Sequence, residues 1–592
     1  MRVGVDTGGT FTDVVADDGS VAKVPSTPHD PGAAVAEAIT RLTSSSLPTL
    51  LAHGTTVATN ALLERRLGRV ALVTTRGFAD VIEIARQVRP SLYDQRVDRP
   101  PALVPRSLRF EVGGRRDGRG RELEPFDGRV PAMTGIDAAA VCLLHSDLDP
   151  DQERAVADVL VARGIDAVCS HDVSPEFREY ERTVTTVVDA ALRPVCTPYL
   201  QGLDGLADEV LVMTSAGGLV PLGDALAHPA ALLLSGPVAG VRASAAVAPV
   251  CGFADAVSFD MGGTSTDVCL VRNGVPEPAP TLVVGGYPIR LPAVGVHTIG
   301  AGGGSIARLD PGGALVVGPE SAGALPGPAA YGRGGEQPTV TDADVVLGRI
   351  PADAAFGGMR SLDLRAARDA LDRAAVSAEG VVAVVDAAME RAVRAVTVEQ
   401  GVDPRELVLV AFGGAGPLHA CAVAEALGMR AVVVPPRAGV FSAAGLVVSA
   451  RRRELVQSWA RPDSTAGLEA ALDALGRRAV SAVGAGASVE TLVDCRYRGQ
   501  SYEITVPRPA DFPGEHERRN GFQRPGEHVE VVLLRARASL PAPLSLDALP
   551  APPRATVEGP EVVVEPDCTV WVPDGWVARP GELGAWIIGR AR

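Results

Sequence analysis

One decapeptide occurs twice in this chain, and no other feature constrains the fold as strongly. Residues 6–15 read DTGGTFTDVV and residues 260–269 read DMGGTSTDVC, and seven of the ten positions are identical. The copies lie too far apart for a solenoid, whose units recur every ~20–50 residues, and the spacing suits two related lobes. Short apolar runs flank each copy: Val3 to Val5 and Val14-Val15 around the first, Val257 to Phe259 and Val268 to Val271 around the second. Two apolar runs joined by a Gly/Thr-rich turn predict a β-hairpin in each lobe.

The residue types in the repeat suit a phosphate. Gly8, Gly9, Gly262 and Gly263 let the backbone come close to a ligand, and their N–H groups can form an anion-binding nest. The paired glycines can adopt positive φ, and if Gly9 and Gly263 do so a Cβ there costs roughly 1–2 kcal/mol. Thr7, Thr10, Thr12, Thr264 and Thr266 can donate hydroxyl hydrogens to phosphate oxygens. Asp6 and Asp260 lead the hairpins and are the candidates to hold a hydrated Mg²⁺, which usually takes only one or two carboxylates. Asp13 and Asp267, at the far ends, are candidates to order an attacking group. A tight Asp-Gly turn is the plain alternative for one copy. Two copies shift the balance to phosphate binding. A third Gly-rich turn, Gly413, Gly414, Ala415 and Gly416, follows a predicted strand at 407–411 and opens a helix.

Composition then excludes other routes. Lys23 is the single lysine in 592 residues and lies in no G-x-x-x-x-G-K-[ST] setting, so neither a P-loop nor a kinase-type strand lysine is present. A net charge of -15 disfavours general nucleic-acid binding. The eight cysteines form no C-x-x-C pair and sit among apolar neighbours, as reduced, buried thiols do. The start of the chain reads as a strand rather than a signal peptide, and no apolar run reaches membrane-spanning length. The expectation is a soluble, cytoplasmic α/β protein without nucleic-acid or membrane partners. Three units are predicted: 1–190 with the first hairpin, 191–450 with the second hairpin and the third glycine turn, and a β-rich C-terminal domain over 451–592, with the Pro-rich stretch 541–553 as a linker.

The order of hairpin, second hairpin and glycine turn is similar to that of actin, sugar kinases and chaperone ATPases. That likeness implies an actin/hexokinase-like fold, with two ribonuclease-H-like lobes and ATP in the cleft between them. Longer stretches resemble the hydantoinase A/5-oxoprolinase family: HGTTVATNALLER at 53–65, TTRGFADVIEIARQ at 74–87, SPEFREYERT at 174–183, SGPVAG at 235–240, GAGGGS at 300–305, VGPESAGA at 317–324, TVTDA at 339–343 and RYRGQ at 496–500. Gln152 stands where the family often has histidine, Asn520 where it often has tyrosine, and the C-terminal region looks shortened.

The resemblance implies ATP- and Mg²⁺-dependent opening of a cyclic amide such as a hydantoin or 5-oxoproline, or ATP use in a ketone carboxylase. It further implies a hydantoinase B-type partner subunit and an oligomer. An actin-like filament or regulatory protein is the reading from another class. His53, Thr55, Thr56 and Asn60 are candidate substrate contacts, with helix capping as the alternative. Arg86 and Arg89 are candidates to hold a substrate carboxylate, with a surface ion pair as the alternative. Gly302, Gly303 and Gly304 are a candidate second nest. His145, Asp147, Asp149 and His171 are a candidate zinc or manganese site, with solvated loop residues as the alternative.

Overall fold

The computed structural model describes residues 1–27, 30–43, 46–279, 281–353 and 361–591. Both repeats are hairpins. Arg2–Thr7 pairs antiparallel with Phe11–Ala16, placing Asp6 opposite Asp13. Ala256–Met261 pairs antiparallel with Thr266–Arg272, placing Asp260 opposite Asp267. The apolar runs that predicted the strands are buried.

Each hairpin nucleates a mixed sheet of the same order. In the first, Val21–Pro25 extends the hairpin on one side, and Leu50–Thr55 and then Val210–Met213 join in parallel on the other. In the second, Val275–Pro276 extends the hairpin, and Val408–Phe412 and then Val432–Val434 join in parallel. The repeated decapeptide is thus the visible part of a repeated topology.

Helices Ser235–Val250 and Phe441–Val447 cross between the two sheets, and small residues let them touch. A Cβ on Gly445 would lie 2.4 Å from the Ala239 carbonyl oxygen, and one on Gly4 would lie 2.2 Å from that of Ala443. No such distance is sterically allowed. These glycines are therefore required by the approach of one lobe's connector to the other's strand.

Two further units sit on this frame. A four-stranded sheet of Ala167–Cys169, Ala138–Cys142, Val70–Thr75 and Arg109–Val112 is inserted into the first lobe, and its neighbouring strands are all parallel. A four-stranded antiparallel sheet, Arg452–Ser458, Val529–Ser539, Ser488–Tyr497 and Ile504–Val506, carries helix Leu468–Val483.

The expectation of one β-rich C-terminal unit over 451–592 is corrected by the strands beyond it. Trp586–Arg590 pairs antiparallel with Val432–Val434, and Trp576–Pro580 pairs with Trp586–Arg590, so both belong to the second lobe's sheet. The Pro-rich stretch is not a free linker. Leu549 is buried with Val15 and Val440, and the Pro550 carbonyl accepts from Arg437. Prolines stopped the stretch from reading as a strand, while its apolar side chains still found a surface to cover.

Candidate active site

The two hairpins face each other across a cleft of about 300 Å³. Asp6, Gly8, Gly9, Thr10, Asp13, Asp260, Gly262, Gly263, Thr264, Asp267, Gly413, Gly414 and Ala415 all line it. Thr10 of the first hairpin comes within 3.3 Å of where a Cβ on Gly263 would stand. Thr7, Thr12, Thr266 and Gly416 lie just behind: the Thr12 and Ser26 hydroxyls are 3.2 Å apart, and Thr266 donates to the Ala301 carbonyl. The Thr12 and Thr266 hydroxyls thus brace the hairpins, whereas Thr7 Oγ1 is buried without a hydrogen-bond partner among the described residues.

Gly9 and Gly263 do not use the left-handed conformation open to glycine; neither has a positive φ. The turns close instead through Gly8 N–H to Phe11 C=O and Gly262 N–H to Ser265 C=O, both 3.0 Å. Gly9 is needed for space: a Cβ there meets no protein atom within 4 Å and would enter the cleft. The glycine that needs its freedom is Gly413, at φ +80°, where a Cβ would lie 2.4 Å from both Asp260 Oδ1 and the Met261 carbonyl oxygen.

Four carboxylates converge on the cleft floor. Desolvation by the cleft walls, with help from Asp13 and Asp267, pushes Asp6 up to about 7. Desolvation also raises Asp267 to about 6, and Asp260 well above its ordinary value with Asp267 and Asp6 adding repulsion. Asp6 Oδ1 has no hydrogen-bond partner among the described residues. An unpartnered carboxylate oxygen beside three other acids is what a hydrated divalent cation would satisfy, so the residues fit Mg²⁺.

The remaining candidates divide. Thr56 lines the cleft and donates to the Thr7 carbonyl. His53 is fully buried beneath it, between the Val5 carbonyl and the Tyr199 hydroxyl, and burial lowers it to about 4. Thr55 accepts from Val57 N–H in the turn into helix Val57–Leu63, and Asn60 reaches back to Thr56. Arg86 is held bidentately by Glu181, and neither it nor Arg89 lines the cleft. Gly303 and Gly304 line the cleft, but their N–H groups donate to the Gly262 and Gly263 carbonyls, so they buttress the second hairpin instead of forming a second nest. A Cβ on Gly302 would lie 2.8 Å from the Gly262 carbonyl oxygen.

The expected zinc or manganese site is not assembled. Asp147 pairs with Arg182, Asp149 with Arg116, and His171 with Glu153. His145 adopts a left-handed turn conformation, φ 61°. Glu153, Cys169 and His171 are close enough to share an ion. Glu153, however, already accepts from Leu143 N–H, Ser146 Oγ, Ser170 Oγ, His171 N–H and His171 Nδ1. A carboxylate offers about four lone-pair positions, so none is left for a metal.

Comparison with known proteins supports the motif reading. The hydantoinase/oxoprolinase model matches residues 182–455, and that of the hydantoinase/oxoprolinase N-terminal region matches residues 2–164. The caprolactamase subunit alpha of Pseudomonas jessenii is 35% identical over 601 residues, covering 90% of this chain and 86% of the relative. The chain belongs to the hydantoinase/oxoprolinase family. Another relative, 5-oxoprolinase 1 of Arabidopsis thaliana, is 32% identical over 98% of this chain and 53% of its own length. The crystal structure of the ATP-dependent caprolactamase from Pseudomonas jessenii superposes over 100% of both chains, with a TM-score of 0.86 at 30% identity.

The family stretches GAGGGS and SGPVAG, distant in sequence, meet at this cleft through Gly303, Gly304, Gly236 and Pro237. Sequence reasoning missed Lys23, Asp344, Tyr331, Ser442 and Asp567 as cleft residues. Ser442 approaches Asp260 Oδ2 at 3.4 Å from the interlobe helix. Only Lys23 had a signal that could have marked it, as the one lysine of the chain.

Proposed function

We propose that this protein is the ATP-hydrolysing component of an amidase that opens a cyclic amide, with Mg-ATP held between two lobes of actin/hexokinase type. The observation that carries the reading is the pair of like hairpins facing across one cleft, with Asp6 and Asp260 on its floor and Asp6 Oδ1 unpartnered. The relatives' names, caprolactamase and 5-oxoprolinase, support a lactam as substrate. The relative's name as a subunit supports a partner of hydantoinase B type, in a complex that we place in the cytoplasm. No helix among the described residues is long and apolar enough to cross a membrane.

A lactam carbonyl is a poor electrophile because amide resonance feeds its oxygen. Transfer of the γ-phosphoryl group of ATP to this oxygen would give an imidate-like phosphate and ADP; water then adds to the carbon, the C–N bond breaks with a proton going to nitrogen, and the acyl phosphate so formed is hydrolysed to carboxylate and phosphate. The chain's own residues then have positioning and charge balance as their task. The Gly8, Gly9, Gly262 and Gly263 turns cradle the phosphates, Asp6 and Asp260 orient the hydrated Mg²⁺, and Asp13 and Asp267 order the acceptor side. The turn from Gly413 to Gly416 opens helix Gly416–Leu427 with its N-terminus at the cleft, which favours negative charge. Thr56 is the substrate candidate that lines the cleft.

The test is lactam-stimulated ATP hydrolysis by the co-expressed complex, across hydantoins, 5-oxoproline and larger lactams, with ketones and labelled bicarbonate alongside. Asp6→Asn or Asp260→Asn is expected to lower turnover per folded molecule by at least about 10², with a smaller loss of ATP binding. No ATP binding to chain or complex ends the reading, and label incorporated from bicarbonate moves it to ketone carboxylation.

A further inference from the structure

Lys23 lines the cleft. Strand Val21–Pro25 pairs with Phe11–Ala16 so that Lys23 lies opposite Asp13, itself opposite Asp6. The three side chains form one row across three strands and line the same cleft. Lys23 Nζ is 3.1 Å from Asp13 Oδ1 and donates to the Gly439 carbonyl at 3.2 Å, above the Phe11 ring. Asp13 belongs to the first lobe's hairpin. Gly439 lies in the turn Ala438–Val440 that follows the second lobe's strand Val432–Val434.

That turn is packed closely against Asp567. Gly439 N–H donates to Asp567 Oδ2 at 2.7 Å, and a Cβ on Gly439 would lie 1.8 Å from the Asp567 carbonyl oxygen. The lysine thus spans from a hairpin carboxylate to an anchored point on the opposite lobe. The choice of residue follows from the site. Every other strongly basic residue in the chain is arginine. A guanidinium is a wide planar fork, whereas an ammonium is a compact point charge with donors in three directions. A carboxylate on one side and a single carbonyl on the other suit the ammonium.

We infer that Lys23 is a positioning residue that fastens Asp13 of the first hairpin to the Gly439 turn of the second lobe and so sets the spacing of the cleft's carboxylates. The inference rests on the amidase reading for its effect on turnover, but the fastening itself is a property of the chain with or without nucleotide.

Because Lys23 is the only lysine, amine chemistry reads it directly. Acylation by a small active ester, followed by peptide mass spectrometry, reports Lys23 against the chain's α-amine as internal reference. In the nucleotide-free protein the rate of Lys23 relative to the α-amine is expected to be much lower in the folded wild type than in the urea-unfolded chain, and Asp13→Asn is expected to raise it. A Lys23-to-α-amine ratio in the folded wild type equal to that of the unfolded chain overturns the fastening.

In the complex, Lys23→Met is expected to lower kcat at least about tenfold while KM for ATP stays within about threefold, since a misplacement near 1 Å costs up to ~10² in rate. Lys23→Arg keeps the charge and is expected to recover part of that loss. An unchanged kcat in Lys23→Met overturns the positioning role. If the wild-type complex shows no ATP-dependent turnover, the amidase reading fails and the acylation result alone decides the fastening.

Discussion

A methyl group added at Gly9 and one added at Gly413 meet opposite surroundings, and the contrast makes a clean test. At Gly9 the backbone is ordinary and no protein atom lies within 4 Å of the new carbon. Gly9→Val should therefore leave the melting temperature nearly unchanged and weaken Mg-ATP binding, read by calorimetry. At Gly413, φ is +80° and the new carbon would strike Asp260 and the Met261 carbonyl. Gly413→Ala should lose at least about 1–2 kcal/mol from the left-handed backbone alone, before counting the clash, and should unfold at lower denaturant concentration. Equal behaviour of the two variants would remove the distinction between a glycine kept for the ligand's space and one kept for the backbone. Glycine identity was legible in the sequence at both positions. Its reason was not, because φ depends on how the turn closes, and Gly8 N–H to Phe11 C=O closes it without strain.

At the scale of elements, His419 ties three helices together. It sits on Gly416–Leu427, wholly buried, with Nδ1 at 2.7 Å from Asp386 of Ala378–Val396 and Nε2 at 3.2 Å from Asp344 of Val340–Val346. Burial alone would lower its pKa, but the two carboxylates outweigh burial and lift it to about 10. The folded value is thus above the ordinary 6.5, so the stability from this charge is fully present below pH 6.5 and is lost as pH rises towards 10. The wild type should lose stability between pH 7 and 10, measured by urea unfolding, and His419→Gln should show a flatter profile over that range. Because removing one member of a buried ion pair strands the other, His419→Gln should also cost roughly 3–5 kcal/mol at pH 7. Asp344 lines the cleft, so this helix junction borders the proposed nucleotide. His419 follows the Gly413–Gly416 turn by three residues, but its partners come 75 and 33 residues earlier. Pairings at such separations leave no local signature. The hairpins, whose partners are a few residues apart, were readable.

For the whole molecule, the decisive element is the return of the chain to the second lobe. Val432 pairs with Ile588 and Val434 with Trp586, and Asp567 holds the Gly439 turn at the cleft. Apolar alternation suggested strands here, but nothing in the local pattern said which sheet they join. A chain ended after residue 553 should lack those strands and leave Val432–Val434 as an open, apolar edge. Such an edge invites pairing with other chains. That truncation should appear as soluble aggregates on size exclusion and should not bind Mg-ATP, whereas a monodisperse, nucleotide-binding product would show that the returning strands are dispensable. The same topology orders events during synthesis. The first lobe's sheet has all its strands once Pro221 has emerged, but Val432 waits for Ile588. At about 5–20 residues per second, that wait lasts roughly 8–30 s. Through that interval a nascent chain carries one finished half and one unfinished half, and a ribosome paused within it would hold the unfinished sheet open to chaperones.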